Sequence, residues 1–305
     1  MKNAQNTEHL CIEALFRPFY VEAVKFKSFQ VPFLSKVKTQ SPIDLLRYQV
    51  DVLKVSLIHM KVRSSLKSNL EAASTAVHKA AKQKPAFIAL PEYFSVANNM
   101  EHFNSAEKIS KETYQETMRF LAKTSRELGS IYLLGGTVLE EDHGTLYNTS
   151  TLWQNGMPIG KYRKRNPINA ELKAGVSRGD KPAVFATDYC KVGILVCADM
   201  FDPPTIKAVV DLGAELVFLP VAAMGTHPHV KGHPLTEKLA TDNGIYVVKV
   251  GNVSSNARGG RSAFITPWGI EQEATDAVED SVMTINFDMQ RLREYRKTLK
   301  RQKPS

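Results

Sequence analysis

The sequence has few cysteines and no long hydrophobic run, and both shortages restrict the protein class. Its 305 residues include only Cys11, Cys190 and Cys197, without a CxxC pair or a zinc-like spacing. An odd, small number of cysteines argues against a disulfide framework and favours a reducing compartment. No apolar stretch reaches the roughly 18 residues of a transmembrane helix, and the N-terminus lacks the apolar segment of a secretion signal. We therefore expect a cytoplasmic protein without a membrane partner.

Signature motifs of two common enzyme classes are also missing. The chain has no GxSxG segment, which disfavours a serine hydrolase of the α/β type. Gly259-Gly260 lacks the GK[ST] ending that a phosphate-binding loop needs. Neither a serine nucleophile in such a turn nor a bound nucleotide phosphate is therefore expected.

Positive charge is concentrated at the two ends of the chain. There are 40 Lys and Arg against 31 Asp and Glu, a net charge of +9. Residues 1–50 hold seven basic and four acidic residues, residues 291–305 hold seven and one, and the body holds 26 of each. We predict an N-terminal extension (1–50), one neutral domain (51–290) and a basic tail (291–305). The tail is predicted to be a solvated helix end; polyanion binding, with its steep salt dependence, is the alternative.

From residue 53 onward, short apolar runs alternate with helical patterns, which is typical of an α/β fold. Residues 53–60, 85–92 and 191–197 are predicted as strands, and Asn-Gly at 155–156 predicts a hairpin turn. The predicted helices follow Ser65, cover residues 106–128 and begin near Pro203-Pro204. Other predicted strands lie in IYLLGGTV, TLYNTSTLW, AELVFLP, GIYVVKVGN, SAFITPWG and VMTINFD.

Three reactive side chains stand at or near the ends of predicted strands, where α/β folds present their ligands. Glu92 follows FIALP, Cys197 follows VGILV, and Lys164 lies in GKYRKRN after the hairpin. Taken singly, each has a structural explanation: a helix-capping or surface carboxylate, an inert core thiol and a solvated basic face. Only their combination indicates chemistry.

The three segments together resemble the signatures of the carbon–nitrogen hydrolase (nitrilase) superfamily. LPEYF, GKYRKRN and VGILVCADMF occur in the family's order Glu, Lys, Cys, and the resemblance extends over about residues 51–290. It implies an α/β fold built as a four-layer α-β-β-α sandwich with two mixed sheets. It also implies a homodimer or a larger homo-oligomer, and an enzyme that needs no cofactor.

The chemistry of the implied triad follows from its residue types. A thiol attacks an amide or nitrile carbon as the thiolate. Glu92 would accept the thiol proton, return it to the leaving nitrogen and then activate water. Lys164 and the backbone N–H of Ala198 would stabilise the oxyanion. Glu171 resembles the family's second glutamate, which bonds the lysine or positions substrate.

Ala198-Asp199 after the nucleophile, in place of Trp-Glu, resembles the amidase and carbamoylase branches rather than true nitrilases. We expect a small amide or N-carbamoyl substrate, and Asp199 is predicted to hold the loop or cap the next helix. His227, His229 and His233 could ligate a metal, but no carboxylate or cysteine nearby in sequence completes a set, so none is expected.

Two other functions stay open at this stage. One is a catalytically silent scaffold that keeps the nitrilase fold; the other is the polyanion-binding role of the basic tail. Nucleic acid is not the expected partner, because the tail lacks aromatic residues beyond Tyr295.

Overall fold

The fold was analysed in a computed structural model that describes residues 51–100, 105–222, 233–253, 261–274 and 279–302. The predicted N-terminal extension, residues 1–50, lies outside the described residues. Within the described ranges the chain forms thirteen strands. They are β1 (Val52–Lys61), β2 (Phe87–Ala89), β3 (Tyr132–Asp142), β4 (Thr145–Gln154), β5 (Met157–Arg163), β6 (Val176–Ser177), β7 (Ala183–Ala186), β8 (Lys191–Ile194), β9 (Leu216–Ala222), β10 (Tyr246–Val253), β11 (Ala263–Thr266), β12 (Gly269–Glu273) and β13 (Ser281–Asp288).

Helices separate most of the parallel strands in the sequence. The α-helices are α1 (Leu66–Ala81), α2 (Ala106–Leu128), α3 (Asn169–Lys173), α4 (Pro203–Asp211), α5 (Pro234–Asn243) and α6 (Met289–Gln302). Short 3-10 helices cover Ala97–Met100 and Cys197–Phe201.

The strands form two mixed sheets that meet at one end of β1. The first sheet has the order β5-β4-β3-β2-β1, with β6 paired to β4 and β13 paired to β1. The second has the order β10-β9-β8-β7, with β11 and β12 added beyond β10. Two residue pairs, Met60 with Asn252 and Lys61 with Val253, join β1 to β10. Each sheet contains both parallel and antiparallel pairs.

The hydrophobic core lies between the two sheets, and helices pack on their other faces. On β9, Leu216 and Phe218 belong to the inner cluster, together with Val55 and Phe87 of the first sheet. Leu219, the next residue of β9, belongs to a separate cluster that includes residues of α4 and α5. Helices α1 and α2 contact β1 and β3. This arrangement confirms the predicted four-layer α-β-β-α sandwich.

Local sequence signals set the ends of several elements. The side chains of Ser65 and Asp202 cap α1 and α4 by accepting backbone hydrogen bonds. Helix α2 ends at Gly129, whose φ of +61° suits a residue without Cβ. Asn155 and Gly156, with φ of +56° and +79°, form the predicted hairpin turn between β4 and β5.

Two predicted strands are shorter in the structure than in the sequence analysis. Of the segment 85–92 only β2 is paired, and of the segment 191–197 only β8 is paired. One more backbone hydrogen bond follows each strand, from Leu90 N to the Leu134 oxygen and from Leu195 N to the Phe218 oxygen, and the chain then leaves each sheet in a turn. These turns carry Glu92 and Cys197.

The basic C-terminal segment begins as helix α6, which contacts β1 and the residues that precede β9. Leu292 is buried in the inner core, Arg293 Nε bonds Glu215 Oε1 at 2.9 Å, and Arg296 Nη1 bonds the carbonyl oxygen of Ala214 at 2.6 Å. The expected solvated helix end is therefore partly docked. Within the described ranges, no helix has both the length and the apolar character needed to cross a bilayer.

Candidate active site

Cys197 lies in a sharp turn just beyond β8. Its φ of +46° is in the left-handed region, which costs a non-glycine residue about 1–2 kcal/mol. The carboxylate of Asp199 holds the turn by accepting hydrogen bonds from Val196 N at 2.9 Å, Asn166 N at 2.9 Å and Tyr162 Oη at 2.8 Å. Asp199 thus stabilises the turn and does not cap α4.

Glu92 stands three residues beyond β2 and is fully buried. Its Oε1 accepts hydrogen bonds from Lys164 Nζ at 2.9 Å and Asn148 Nδ2 at 2.8 Å, and its Oε2 accepts one from Ala222 N at 2.6 Å. Ala222 ends β9 of the second sheet, so the carboxylate bridges the two sheets at their common edge. Asn252 Nδ2 donates to the carbonyl oxygen of Glu92 and fixes the turn from the second sheet.

Lys164 follows β5 directly, and its side chain is completely buried. Besides Glu92, it donates to Glu171 Oε2 at 2.7 Å. Glu171 lies on α3 and accepts three further hydrogen bonds, from Ile168 N at 2.8 Å, Tyr93 Oη at 2.7 Å and Asn148 Nδ2 at 2.9 Å. The lysine is thus held between two carboxylates, and both oxygens of Glu171 are occupied by protein donors.

Burial and mutual charge together set the protonation of this cluster. Burial raises the pKa of Glu92 although Lys164 opposes the rise, whereas for Glu171 the lysine and the hydrogen bonds outweigh burial and lower the pKa. Burial would lower the pKa of Lys164, but the surrounding acidic groups raise it. Burial and then the charge of Glu92 raise the pKa of the Cys197 thiol. The resting site therefore contains a protonated thiol and a cationic lysine.

Of the predicted site residues, the structure brings Glu92, Lys164, Glu171 and Cys197 into one connected cluster. Ala198 is the second residue of the 3-10 helix Cys197–Phe201 and is partly exposed.

Sequence reasoning missed two members of the cluster. Asn148 bridges Glu92 and Glu171 through one amide nitrogen, and Tyr93 orients Glu171. Tyr93 directly follows Glu92, and Asn148 lies in the strand segment TLYNTSTLW. A polar residue in a predicted buried strand was the available signal, since buried polar groups need hydrogen-bond partners.

The histidine segment is only partly described. His227 and His229 lie outside the described residues, while His233 directly precedes α5 and is buried. Its Nε2 lies 3.0 Å from Glu273 Oε2, and its Nδ1 lies 3.4 Å from the Nζ of Lys249, a second buried lysine. In the part of the chain that the structure describes, no three His, Cys, Asp or Glu side chains are grouped as a metal site would require.

Comparison with known proteins gives consistent results. A family model described as carbon-nitrogen hydrolase matches residues 54–297. The chain is 31% identical to mouse omega-amidase NIT2 over 265 residues, covering 82% of this chain and 94% of the mouse protein. It is 30% identical to human omega-amidase NIT2 over 260 residues, covering 81% and 92% of the two chains.

Solved structures extend the similarity to the fold. Nit3 of Saccharomyces cerevisiae, a member of branch 10 of the nitrilase superfamily, has a TM-score of 0.72 and 27% identity, covering 83% of this chain and 96% of its own. An amidase from Nesterenkonia sp. has a TM-score of 0.66 and 23% identity, covering 82% of this chain and 95% of its own.

The family match extends over most of the chain, and it agrees with the two-sheet sandwich. The curated relatives are themselves amidases that align over nearly their whole length. The chain belongs to the carbon–nitrogen hydrolase (nitrilase) superfamily and is an enzyme that hydrolyses carbon–nitrogen bonds other than peptide bonds.

Proposed function

We propose that the enzyme hydrolyses a small amide through a thioester on Cys197, with Glu92 as general acid and base and Lys164 as the oxyanion-stabilising cation. The observation that carries the proposal is the buried Glu92–Lys164 ion pair at 2.9 Å, whose two charges act on the Cys197 thiol. The turn at Cys197 leaves this residue partly exposed, whereas the two charged groups are buried. The proposed nucleophile, Cys197, is therefore accessible, whereas the proposed proton acceptor, Glu92, is shielded from solvent.

In the first half-reaction, Sγ of Cys197 attacks the amide carbon while its proton moves to Glu92. The carbonyl π electrons move onto oxygen, and Lys164 with the backbone N–H of Ala198 stabilises this oxyanion. The tetrahedral intermediate collapses, the carbon–nitrogen bond breaks, and Glu92 returns the proton to the departing ammonia or amine. An acyl thioester remains on Cys197.

In the second half-reaction, Glu92 removes a proton from water as the water oxygen attacks the thioester carbon. The carbon–sulfur bond then breaks, the carboxylic acid leaves and the proton returns to sulfur. The raised pKa of Glu92 suits this exchange, because a buried carboxylate is a stronger base than an exposed one. The two protonation states of Glu92 are thus both used within one turnover.

Glu171 is proposed to position Lys164 rather than to bind substrate. All four of its hydrogen bonds come from the protein, and the shortest of them come from Lys164 and Tyr93, both at 2.7 Å. By holding Nζ from one side, Glu171 keeps the lysine cationic and aimed at the reacting centre. Asn148 joins the two glutamates in the same network.

We favour an amide over an N-carbamoyl substrate, because the curated relatives at 30–31% identity carry the name omega-amidase. We further propose a homodimer or larger homo-oligomer, as the sequence resemblance implies. We also propose a cytoplasmic location, which agrees with the free thiols of Cys190 and Cys197. A reducing compartment would keep the nucleophile available.

The test is ammonia release from a panel of small amides, nitriles and N-carbamoyl compounds. Cys197→Ala should lose activity by on the order of a thousandfold or more on every substrate of the wild type. Cys190→Ala is the matched control, because Cys190 is a buried core thiol outside the cluster. Full ammonia release by Cys197→Ala would contradict the mechanism.

A further inference from the structure

Lys249 is a buried lysine near the nucleophile turn that the proposed mechanism does not use. On β10 it lies opposite Leu219 of β9. Leu219 and Leu195 belong to the cluster on the helix-facing side of the second sheet, and Cys197, two residues after Leu195, packs against the same cluster. Adjacent strands are about 4.8 Å apart, so two strand spacings separate the backbone of Lys249 from the start of the turn.

This lysine is buried without a carboxylate in contact. It is 1% exposed, and among the described residues no acidic oxygen lies within 4.0 Å of its Nζ. Its hydrogen-bond partner is the imidazole of His233, at 3.4 Å. An ammonium has three donors, and a buried charge without an opposite charge is costly. Among the described residues, the arrangement around Lys249 therefore favours a negative group near its Nζ.

His233 lies between Lys249 and the partly exposed Glu273, and its contact with Nζ fixes the direction of the Lys249 side chain. Because Nδ1 accepts from the ammonium, Nε2 carries the imidazole proton and donates to Glu273 Oε2 at 3.0 Å. Glu273 has a side-chain exposure of 36% and also binds Arg261 Nη1 at 3.1 Å. Burial lowers the pKa of His233, which keeps this imidazole neutral and able to accept.

Proton transfer at the active site produces a negative group close to this turn. Glu92 and Glu171 carry two negative charges, and Lys164 carries one positive charge, which both carboxylates already share. When the thiol proton moves to Glu92, the net charge of the site does not change, but one negative charge moves from Glu92 onto the sulfur of Cys197. A cation close to that sulfur therefore favours the transfer. Asp199 in the same turn is engaged by Tyr162 and Asn166.

We propose that Lys249 stabilises the thiolate of Cys197 as a second cation besides Lys164. The inference rests on the proposed function, in which Cys197 is the nucleophile. The charged groups that act on Cys197 are Glu92, Lys164 and Glu171. Those that act on Lys249 are Cys197 and Glu273, with His233 in contact and Arg261 paired to Glu273.

The proposal has a definite pH signature. Burial lowers the pKa of Lys249 to about 8, while the charges of Cys197 and Glu273 raise it. Lys249 is therefore cationic below about pH 8 and loses its charge above it. Its help to the thiolate should be largest in the neutral range and should fade as pH rises.

The experiment is the rate of Cys197 carboxamidomethylation by iodoacetamide between about pH 5.5 and 9.5, followed by mass spectrometry of the Cys197 peptide. No substrate is needed, so the readout is independent of which amide the enzyme uses. Lys249→Met should react about tenfold more slowly than the wild type at pH 7, the change expected for a thiol pKa raised by about one unit. Lys249→Arg should keep most of the wild-type rate.

The matched control is Lys54→Met, which removes a strand lysine whose Nζ bonds the carbonyl oxygen of Gln83, away from the cluster. The buried Cys190 peptide reports folding in the same samples, and Lys249→Gln serves if the Met variant fails to fold. If Lys249→Met and Lys249→Gln both keep the wild-type pH profile of Cys197 labelling, this inference is wrong and the proposed function is unaffected. Ammonia release is measured on the same preparations, and full release by Cys197→Ala would instead overturn the proposed function on which this inference rests.

Discussion

The protein buries two lysines near one cysteine, and their surroundings differ. Lys164 and Lys249 are both 1% exposed. Lys164 contacts two carboxylates, at 2.7 and 2.9 Å, and its pKa is raised. Lys249 contacts a neutral imidazole, and its pKa falls to about 8. Burial alone therefore does not decide the charge of a lysine; the neighbouring anions do.

The largest effect is expected from removing the lysine that has carboxylate partners. Lys164→Met leaves Glu92 and Glu171 buried without a cation, which should lower the free energy of unfolding by about 3–5 kcal/mol and abolish amide hydrolysis. The two orphaned carboxylates acquire raised pKa values in the folded variant, so the loss should be larger at pH 8 than at pH 5. Urea unfolding at both pH values measures it. An equal loss at both would contradict this account.

A smaller effect is expected from neutralising the second carboxylate. Glu171→Gln keeps the size of the side chain but removes one of the charges that hold Lys164. We expect kcat to fall by about 10- to 100-fold, in the range found for supporting residues of catalytic groups, while KM changes little. Steady-state kinetics on the best amide provides the measurement. A rise in KM at unchanged kcat would instead indicate that Glu171 contacts substrate.

Removing Lys249 should change stability in the opposite direction. Because its folded-state pKa of about 8 lies below the ordinary 10.5, keeping it charged costs folding free energy below pH 8, and the cost disappears as pH rises towards 10. Lys249→Met should therefore raise the free energy of unfolding by about 1–3 kcal/mol at pH 7. The gain should shrink at pH 9.5. A destabilised variant at pH 7 would show that Lys249 has an anionic partner in the resting protein.

The smallest effect is expected at an exposed lysine. Lys61 pairs with Glu279 at 3.0 Å, but the two side chains are 41% and 60% exposed. Solvent screens such pairs, so Lys61→Met should change the free energy of unfolding by less than about 1 kcal/mol. Thermal or urea unfolding at pH 7 measures this change, with which the changes at the buried Lys164 and Lys249 are compared. A change of several kcal/mol would show that burial is not what separates the three lysines.

Much of the fold could be predicted because its signals are local. The cap of α1 at Ser65, the end of α2 at Gly129 and the turn at Asn155 each depend on a few neighbouring residues. The strand segments that end at Glu92 and Cys197 were predicted too long, since their apolar runs continue to Pro91 and Val196, whereas β2 and β8 end at Ala89 and Ile194. Composition alone does not show that departure.

The network around the cluster could not be predicted in the same way. Asn148 contacts Glu92 from 56 residues away, and Ala222 contacts it from 130 residues away. No local pattern records such pairs, because they depend on how two sheets meet. The direction of the Lys249 side chain likewise depends on His233, which precedes a different helix.

By itself, the sequence determined the family, the alternation of strands and helices, and the strand ends at which a glutamate, a lysine and a cysteine stand. Those properties depend on residue type and short-range order. Only the tertiary structure decided which lysine has two carboxylate partners and which has none in contact among the described residues. The physical reason is that a buried charge takes its energy from groups within a few ångströms, and those groups come from distant parts of the chain.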